Sequence, residues 1–305
     1  MNRAVRLSRI AKLFWQVNSP IAQQVDLQGK CFLITGGSSG MGAEISQTLA
    51  SWGAHTIITC RSSKKGDQIV EKILSHDSGA HVTLFSEADT SDLNSMRSLA
   101  HKVISHDEIE QLDGLILNAG VLQKQHAESK QGYELNVATN TLGHHLLVRR
   151  LLPLLTKAEL GKVIYVVGDI YKFADNCTLD FSYKSKTIQA YARSKLGVLW
   201  NAFTLHERKE QLGSPNVASI GVHPGVVATN IISGPMWLKR LLLISANRGA
   251  QTTLRAATDS SIISGQHVHN TLGVMDFHKL GPVVNSQRRL EFWEECEQAI
   301  SQYLT

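Results

Sequence analysis

The sequence predicts a doubly wound α/β domain, in which helices cover both faces of a parallel sheet. Short apolar and β-branched runs alternate with helical patterns from Gly29 to Val222, as in chains that build such a sheet. One strand, Cys31–Thr35, runs directly into a glycine-rich turn and a helix. The 305 residues contain no internal repeat or linker. We therefore expect a single domain over residues 26–305, preceded by a separate segment, 1–25.

The predicted strands are short and bounded by polar residues or glycine. They are Cys31–Thr35, Thr56–Thr59, His81–Phe85, Leu115–Leu117, Val163–Val167 and Ala218–Val222. Helical patterns lie near 41–52, 66–75, 92–106, 131–156 and 188–212, with a C-terminal helix near 286–303. Pro153 interrupts the fourth of these patterns and predicts a kink or an early end there. After Val222 the alternation loosens.

Segment 1–25 is basic and amphipathic. Positive side chains recur at positions 3, 6, 9 and 12, opposite an apolar face, and no acid precedes Asp26. This pattern is typical of a helix at a membrane surface or of an organelle transit peptide. The alternative is a helix packed on the domain, or disorder. Without these four charges the excess of basic residues falls from five to one, so we expect no nucleic-acid partner.

Cysteine and histidine spacing excludes several classes of protein. The four cysteines are scattered, no C-x-x-C pair occurs, and no H-E-x-x-H motif is present. We therefore expect neither disulfides nor a metal site, and a reducing compartment. No apolar run is long enough to span a membrane. These features predict a cytoplasmic protein, with membrane association or organelle import through segment 1–25 as the alternatives.

The glycine turn carries the first chemical signal. Glycines let the backbone approach a pyrophosphate, which the N–H groups of the following helix then bind. The spacing Gly36-x-x-x-Gly40-x-Gly42 resembles the T-G-x-x-x-G-x-G turn of the short-chain dehydrogenases/reductases, which have a Rossmann fold. The resemblance implies a nicotinamide dinucleotide bound by Gly36, Ser38, Ser39, Gly40, Met41 and Gly42.

The residue after the second strand bears on which dinucleotide is bound. NAD enzymes usually place a carboxylate there, whereas this chain has Arg61 in Cys60-Arg61. A guanidinium matches a 2′-phosphate in shape and charge, so we predict NADP(H). The alternative is a solvated surface arginine.

Further motifs of the family follow in order. The resemblance assigns Asp89 to the adenine ring, and Asn118, Ala119 and Gly120 to the central sheet and the cofactor ribose. It assigns Pro224, Gly225 and Thr229, in Pro224-Gly225-Val226-Val227-Ala228-Thr229, to the nicotinamide amide.

The catalytic prediction centres on Tyr191 and Lys195. At spacing i and i+4 on a helix they share one face, where a lysine can lower the pKa of a phenol. The resemblance makes Tyr191 the general acid/base and Lys195 its partner and ribose ligand. It makes Asn140, in an N-x-L-G segment, the support of a water relay to the lysine; the alternative is an asparagine that only kinks a helix.

The chain departs from the family after the fifth strand, where a catalytic serine is expected. The sequence there is Val167-Gly168-Asp169-Ile170, so Gly168 or Asp169 occupies the position. We favour Asp169 because its side chain can form hydrogen bonds. If ionised, it would raise the pKa of Tyr191; if protonated in an apolar pocket, it would donate in place of serine.

Within the family the chain looks most like the retinol-dehydrogenase branch. The similarity rests on Cys60-Arg61, the N-x-L-G segment, Gly249–Thr252 and the helix with Phe292–Glu297. The resemblance implies a lid, residues 229–248, whose apolar character favours a lipophilic substrate: a retinoid, steroid or fatty aldehyde. The alternative is an ordinary core-packing helix or a dimer contact. Segments 1–17 and 236–244 are predicted membrane contacts, and a homodimer is the oligomer that such relatives imply.

The sequence therefore predicts an NADP(H)-dependent oxidoreductase that interconverts a lipophilic alcohol and its aldehyde or ketone. The alternative, motivated by the missing serine, is a dinucleotide-binding protein without turnover that acts as a redox sensor or scaffold.

Overall fold

A mostly parallel sheet lies at the centre of the computed structural model, which describes residues 20–123, 125–179, 187–227 and 244–304. Its strands are β1 Cys31–Thr35, β2 His55–Thr59, β3 Val82–Phe85, β4 Gly114–Leu117, β5 Gly161–Val166, β6 Val217–His223, β7 Gln266–His269 and β8 Gly273–Asp276. Their order across the sheet is 3-2-1-4-5-6-7-8. Only the β7–β8 pair is antiparallel among these neighbours. The predicted doubly wound fold is confirmed.

Helices connect the strands and cover the sheet. They are α1 Gly40–Ser51, α2 Ser63–His76, α3 Leu93–Ile104, α4 Leu135–Val137, α5 Gly143–Lys157, α6 Thr187–Arg208, α7 Ala246–Thr258 and α8 Arg288–Ile300. A π-helical turn, Ala138–Leu142, joins α4 to α5, and a 3₁₀ turn, Asp169–Phe173, follows β5. Helix α5 continues through Pro153 to Lys157, so the predicted early end is wrong.

Both faces of the sheet are apolar, which explains the unbroken hydrophobic runs of the strands. Leu33 of β1 and Leu115 of β4 lie in the core cluster with α3, α5 and α6. The adjacent residues Ile34 and Ile116 lie in a second cluster with α1 and α7. All four side chains are fully buried. Successive side chains of a strand point to opposite faces, so burial of both sets requires helices on both sides.

The sequence did not reveal β7, β8 or α7. The strand β7 has the sequence Gln-His-Val-His, whose polar residues hide it from a search for apolar runs. Helix α7 begins at Ala246, inside the predicted lid 229–248. The rest of that lid before Ile244, and the basic helix predicted within 1–25, fall outside the described residues.

The described end of segment 1–25 packs on the domain. Ala22 is buried, and its N–H donates to Oε1 of Gln251 in α7, 3.0 Å away. Contact with the domain therefore begins before residue 26. The division of the chain at residue 25 stays a prediction.

Helix α5 can begin where it does only because its first residue is glycine. A Cβ on Gly143 would lie 1.9 Å from the carbonyl oxygen of Thr90. We expect Gly143→Ala to lower the free energy of unfolding by about 2 kcal/mol or more, because backbone on both sides resists the overlap. Chemical denaturation measures this. A matched control is Gly79→Ala, whose new Cβ would lie no closer than 3.4 Å to its nearest neighbour. Equal losses in the two variants would contradict the steric explanation.

Candidate active site

The glycine turn after β1 forms a cradle that side chains would fill. Gly36 has a φ of +65°, and a Cβ on Gly42 would lie 2.2 Å from the carbonyl oxygen of Gly36. Ser39 precedes α1 in extended conformation, and its side chain does not cap the helix. The backbone at this helix N-terminus therefore suits the phosphates of a dinucleotide. Its residues fit the cofactor that the sequence predicts.

The residues predicted to choose between NAD and NADP lie beside this turn. Arg61 is exposed and directly follows Cys60 at the end of β2. The thiol of Cys60 lies within hydrogen-bonding reach of Ser38, a residue of the glycine turn. Arg61 is thus directly adjacent in sequence to a residue that contacts the glycine turn. Asp89 uses Oδ1 to accept from the N–H and the hydroxyl of Ser91, so this carboxylate oxygen shapes its own loop.

The Asn-Ala-Gly segment is bound to the end of β1 by Thr35. The Thr35 Oγ1 accepts from the backbone N–H groups of Asn118 and Ala119, both at 3.0 Å. The Asn118 Nδ2 in turn donates to the carbonyl oxygens of Thr35 and Gly36, at 3.0 and 3.3 Å. The glycine turn and the end of β4 are therefore one hydrogen-bonded unit.

Asn140 lies in the π-helical turn with its side chain held on both sides. The N–H of Val121 donates to Asn140 Oδ1 at 2.8 Å, and Asn140 Nδ2 donates to Ser194 Oγ at 2.9 Å. Ser194 Oγ donates to the carbonyl of Tyr191. A Cβ placed on Gly120 would lie 3.2 Å from Asn140 Oδ1 and 3.7 Å from Lys195 Nζ. The structure thus brings Gly120, Asn140 and Lys195 together.

The predicted catalytic pair lies on α6, facing the end of β5. Lys195 is buried, and its Nζ donates to the carbonyl oxygen of Val166 at 2.8 Å. Burial lowers the pKa of Lys195 to about 8. The same Nζ lies 5.9 Å from the centre of the Tyr191 ring. Burial raises the pKa of Tyr191 to about 12, so the lowering that we expected from the lysine is not what this geometry gives.

Asp169 is buried and contacts a lysine and two histidines. Its Oδ2 accepts from Lys172 Nζ at 2.5 Å and from His269 Nε2 at 3.2 Å, and its N–H donates to His223 Nδ1. Burial alone would raise the pKa of Asp169, but the hydrogen bonds from His269 and Lys172 to the carboxylate, together with the Lys172 charge, hold it below its usual value. These contacts favour the ionised carboxylate over the neutral, donating acid, and the role of Asp169 stays a prediction. Gly168, the other residue considered for this position, has a φ of +104°.

Among the described residues, two groups of side chains have the spacing of metal ligands, one near the amino end of β2 and one at the carboxyl ends of β6 and β7. One group consists of Asp169, His223 and His269. The Nδ1 atom of each histidine accepts a hydrogen bond from a backbone N–H group, which places the ring proton on Nε2. Lys172 also occupies the carboxylate, so the arrangement favours an ion pair. In the group with His55 and His81, the rings are stacked 3.6 Å apart and 3° from parallel. Parallel rings do not direct their in-plane nitrogens at one ion.

The nicotinamide segment is described only in part. Pro224 and Gly225 directly follow His223, the last residue of β6, and Gly225 has a φ of +91°. Thr229 lies outside the described residues. The roles assigned to individual residues of the site stay predictions.

The comparisons with known proteins agree with this geometry. The sequence model of the family described as "short chain dehydrogenase" matches residues 30–234. The chain belongs to the short chain dehydrogenase family. Membership makes it an oxidoreductase of a class that acts on CH–OH groups with a nicotinamide dinucleotide.

Retinol dehydrogenases are among its relatives, as the sequence predicted. The chain is 31% identical over 257 residues to retinol dehydrogenase 12 of Mus musculus, covering 80% of this chain and 78% of the relative. It is 29% identical over 304 residues to the WW domain-containing oxidoreductase of Gallus gallus, covering 93% and 71%.

Solved structures share the fold. A protein from Mycobacterium paratuberculosis superposes with a TM-score of 0.72 at 25% identity, covering 92% of this chain and 98% of that one. A short chain dehydrogenase from Shigella flexneri 2a, complexed with NADP, gives a TM-score of 0.65 at 21% identity, covering 81% and 99%.

Sequence reasoning missed several residues that hold the site together. Ser194 and Lys172 are close in sequence to predicted residues but have no motif of their own. His144 and His269 are buried imidazoles whose partners are distant along the chain. The sequence gives no signal for such contacts.

The ionised state of Asp169 leads to a pH-dependent prediction. We expect Asp169→Asn to lower the free energy of unfolding at pH 7 by about 1–3 kcal/mol, because charged hydrogen bonds are lost. A carboxyl whose pKa is lowered by folding stabilises the protein above its unfolded pKa, and this contribution disappears as pH falls through the folded pKa. The difference in the free energy of unfolding between wild type and variant must therefore shrink as pH falls below about 4. Denaturation curves at several pH values measure it.

The matched control is Asp175→Asn, since that carboxylate is 76% exposed in its ion pair with Arg193. It should change stability little at any pH. A difference for Asp169→Asn that does not vary with pH would mean that the carboxyl is neutral in the folded protein.

Proposed function

We propose that this protein is an NADP(H)-dependent oxidoreductase that interconverts a lipophilic alcohol and its aldehyde or ketone. The observation that carries the proposal is the convergence of Tyr191, Lys195 and Asn140 beside the glycine cradle, at the carboxyl ends of β4 and β5. This edge is where open α/β sheets bind their ligands.

The chemistry divides between cofactor and protein. The bound dinucleotide supplies the hydride acceptor or donor. The Tyr191 hydroxyl exchanges a proton with the substrate oxygen, as a general acid in reduction and a general base in oxidation. Lys195, with a pKa lowered to about 8 by burial, is suited to bind the cofactor ribose and to pass protons near neutral pH. Asn140 positions the water through which Lys195 reaches solvent.

The preference for NADP(H) rests on Arg61. A planar guanidinium donates two parallel hydrogen bonds to a phosphate, and no carboxylate takes the usual place of the NAD-selecting acid in Cys60-Arg61-Ser62. The NADP complex of the Shigella flexneri relative in fold is consistent with this choice.

The lipophilic substrate class is supported by exposed apolar side chains near Tyr191. Ile188, one turn earlier on α6, is 66% exposed, and Phe173 of the 3₁₀ turn is 38% exposed. Gln189 Nε2 donates to the carbonyl of Phe173, so the two elements adjoin. The names of the retinol dehydrogenase relatives agree with such a substrate.

The ion-paired Asp169 favours a second candidate function. A carboxylate held by Lys172 and His269 does not donate to a substrate carbonyl as serine would. A protein that binds the dinucleotide without turnover, as a redox sensor or scaffold, would have this feature. Retention of Tyr191, Lys195 and Asn140 favours the enzyme.

The partners stay proposals. A membrane contact through 1–17 and 236–244 involves residues that, except for Ile244, lie outside the described chain. Of the described helices, none combines the length and apolar character that crossing a membrane requires. A homodimer is the oligomer that we propose from the family resemblance.

Replacement of Tyr191 tests the reaction. We expect Tyr191→Phe to lower the rate of NADPH oxidation by about 10²–10⁴-fold, the usual contribution of a general acid, while NADPH binding persists. Purified full-length protein would be assayed with retinal, long-chain aldehydes and ketosteroids. The control Tyr133→Phe changes a phenol outside the site and should keep full activity. NADPH binding without turnover of any of these substrates would favour the binding-protein function.

Replacement of Arg61 tests the cofactor. We expect Arg61→Gln to weaken NADPH binding by about tenfold or more and to leave NADH binding unchanged, because only NADPH carries the 2′-phosphate. Fluorescence titration with each nucleotide measures both. Arg97→Gln, an exposed arginine of α3, is the control. Equal losses of affinity for NADPH and NADH would show that Arg61 does not bind the 2′-phosphate.

A further inference from the structure

His144 is a buried imidazole that links the cofactor turn to Asn140. It is 3% exposed and lies at the start of α5, directly after the π-helical turn. Its Nδ1 lies 3.1 Å from the carbonyl oxygen of Asn140, and its Nε2 lies 2.9 Å from Thr35 Oγ1. One ring therefore contacts a backbone group of the predicted relay residue and the hydroxyl that anchors the Asn-Ala-Gly segment.

The partners fix the tautomer of this ring. A carbonyl oxygen can only accept, so the proton lies on Nδ1 and donates to Asn140. The Nε2 then accepts from the Thr35 hydroxyl, whose oxygen accepts in turn from the N–H groups of Asn118 and Ala119. Burial lowers the pKa of His144 to about 4, so the ring is neutral and this arrangement persists at neutral pH.

The backbone hydrogen bonds around Asn140 depart from those of a regular α-helix. The N–H of Gly143 reaches back to the carbonyl of Ala138, five residues earlier, which interrupts the regular i−4 pattern. The side chain of Asn140 forms hydrogen bonds with Val121 and Ser194. The hydrogen bond from His144 fixes the backbone carbonyl of Asn140 as well. Both halves of the residue are thus fixed.

We propose that His144 is a positioning residue, which orients the Asn140 carbonyl for the water relay and couples that orientation to the cofactor turn through Thr35. The catalytic part of this inference rests on the proposed function. Its structural part, the coupling of the Asn140 orientation to nucleotide binding, does not depend on the proposed function.

Paired variants of the two adjacent histidines test the proposal. His144→Leu removes both hydrogen bonds and keeps an apolar core. His144→Gln can restore them, because the oxygen and nitrogen of a side-chain amide are spaced much like the two nitrogens of imidazole. The control, His145→Leu, removes an equally buried histidine of the same helix, whose Nε2 lies 2.7 Å from Glu297 Oε1, away from the site.

The assayed substrates are retinal, long-chain aldehydes and ketosteroids. We expect His144→Leu to lower kcat by about 10-fold or more, because a small misplacement of a group near the reacting atoms can lower the rate by up to about 10²-fold. KM for the carbonyl substrate should change little, NADPH affinity should fall, and His144→Gln should recover most of the loss. His145→Leu should lower the midpoint of thermal unfolding with kcat unchanged. Equal effects of the two leucine variants on kcat, or no rescue by glutamine, would show a structural role only.

Two measurements do not depend on turnover. Nitrogen NMR of the imidazole should show the Nδ1-protonated form of His144, with no titration between pH 5 and 8, as a pKa of about 4 requires. NADPH titration should show weaker binding by His144→Leu than by His145→Leu. If wild type proves inactive, the proposed function fails, and these two results still decide the coupling. An Nε2-protonated ring, or equal NADPH affinities, would overturn it.

Discussion

The hydroxyl of Thr35 is the contact on which the arrangement of the site depends. It lies at the end of β1, fully buried, and joins that strand to the backbone after β4. The order of the sheet reverses between these two strands, and the carboxyl ends on either side of such a point form the crevice of the fold. Without the threonine hydroxyl, the backbone N–H groups of Asn118 and Ala119 would lose their acceptor, and only the Asn118 side chain would still join this segment to the carbonyls of Thr35 and Gly36.

Burial determines the charges available beside this crevice. The interior removes water from Lys195 and from His144, which lowers the pKa of both groups. The lysine therefore remains a group that can exchange a proton near neutral pH, while the histidine stays neutral and keeps one tautomer. Burial has the opposite effect on Tyr191, because its charged form is the anion. A proton held by Tyr191 is thus retained until a substrate oxygen or the cofactor changes its surroundings.

Local sequence predicted the fold and the outline of the site, whereas contacts between distant residues could not be predicted. β1 was predicted with its observed bounds because an apolar strand, glycines and a helix follow one another within a few residues. β7 was missed because its histidines face the interior, where polar residues are not expected. The motifs predicted which residues converge, such as Asn140 and Lys195. They could not predict that Asp169 would bind His269, a residue 100 positions away.

The direction of the Asp169 side chain follows from the backbone before it. Gly168 has a positive φ, which side chains other than glycine rarely adopt, and the chain after β5 turns toward the ends of β6 and β7. His223 and His269 stand there and bind the backbone N–H and the carboxylate of Asp169. Because Lys172 completes the ion pair, this arrangement favours a carboxylate that accepts hydrogen bonds over an acid that donates one. In the proposed reaction the hydrogen bond to the substrate oxygen therefore comes from Tyr191. The position of helix α6, and of the residues that hold Asn140 against this helix, then matters more than in a relative that retains serine.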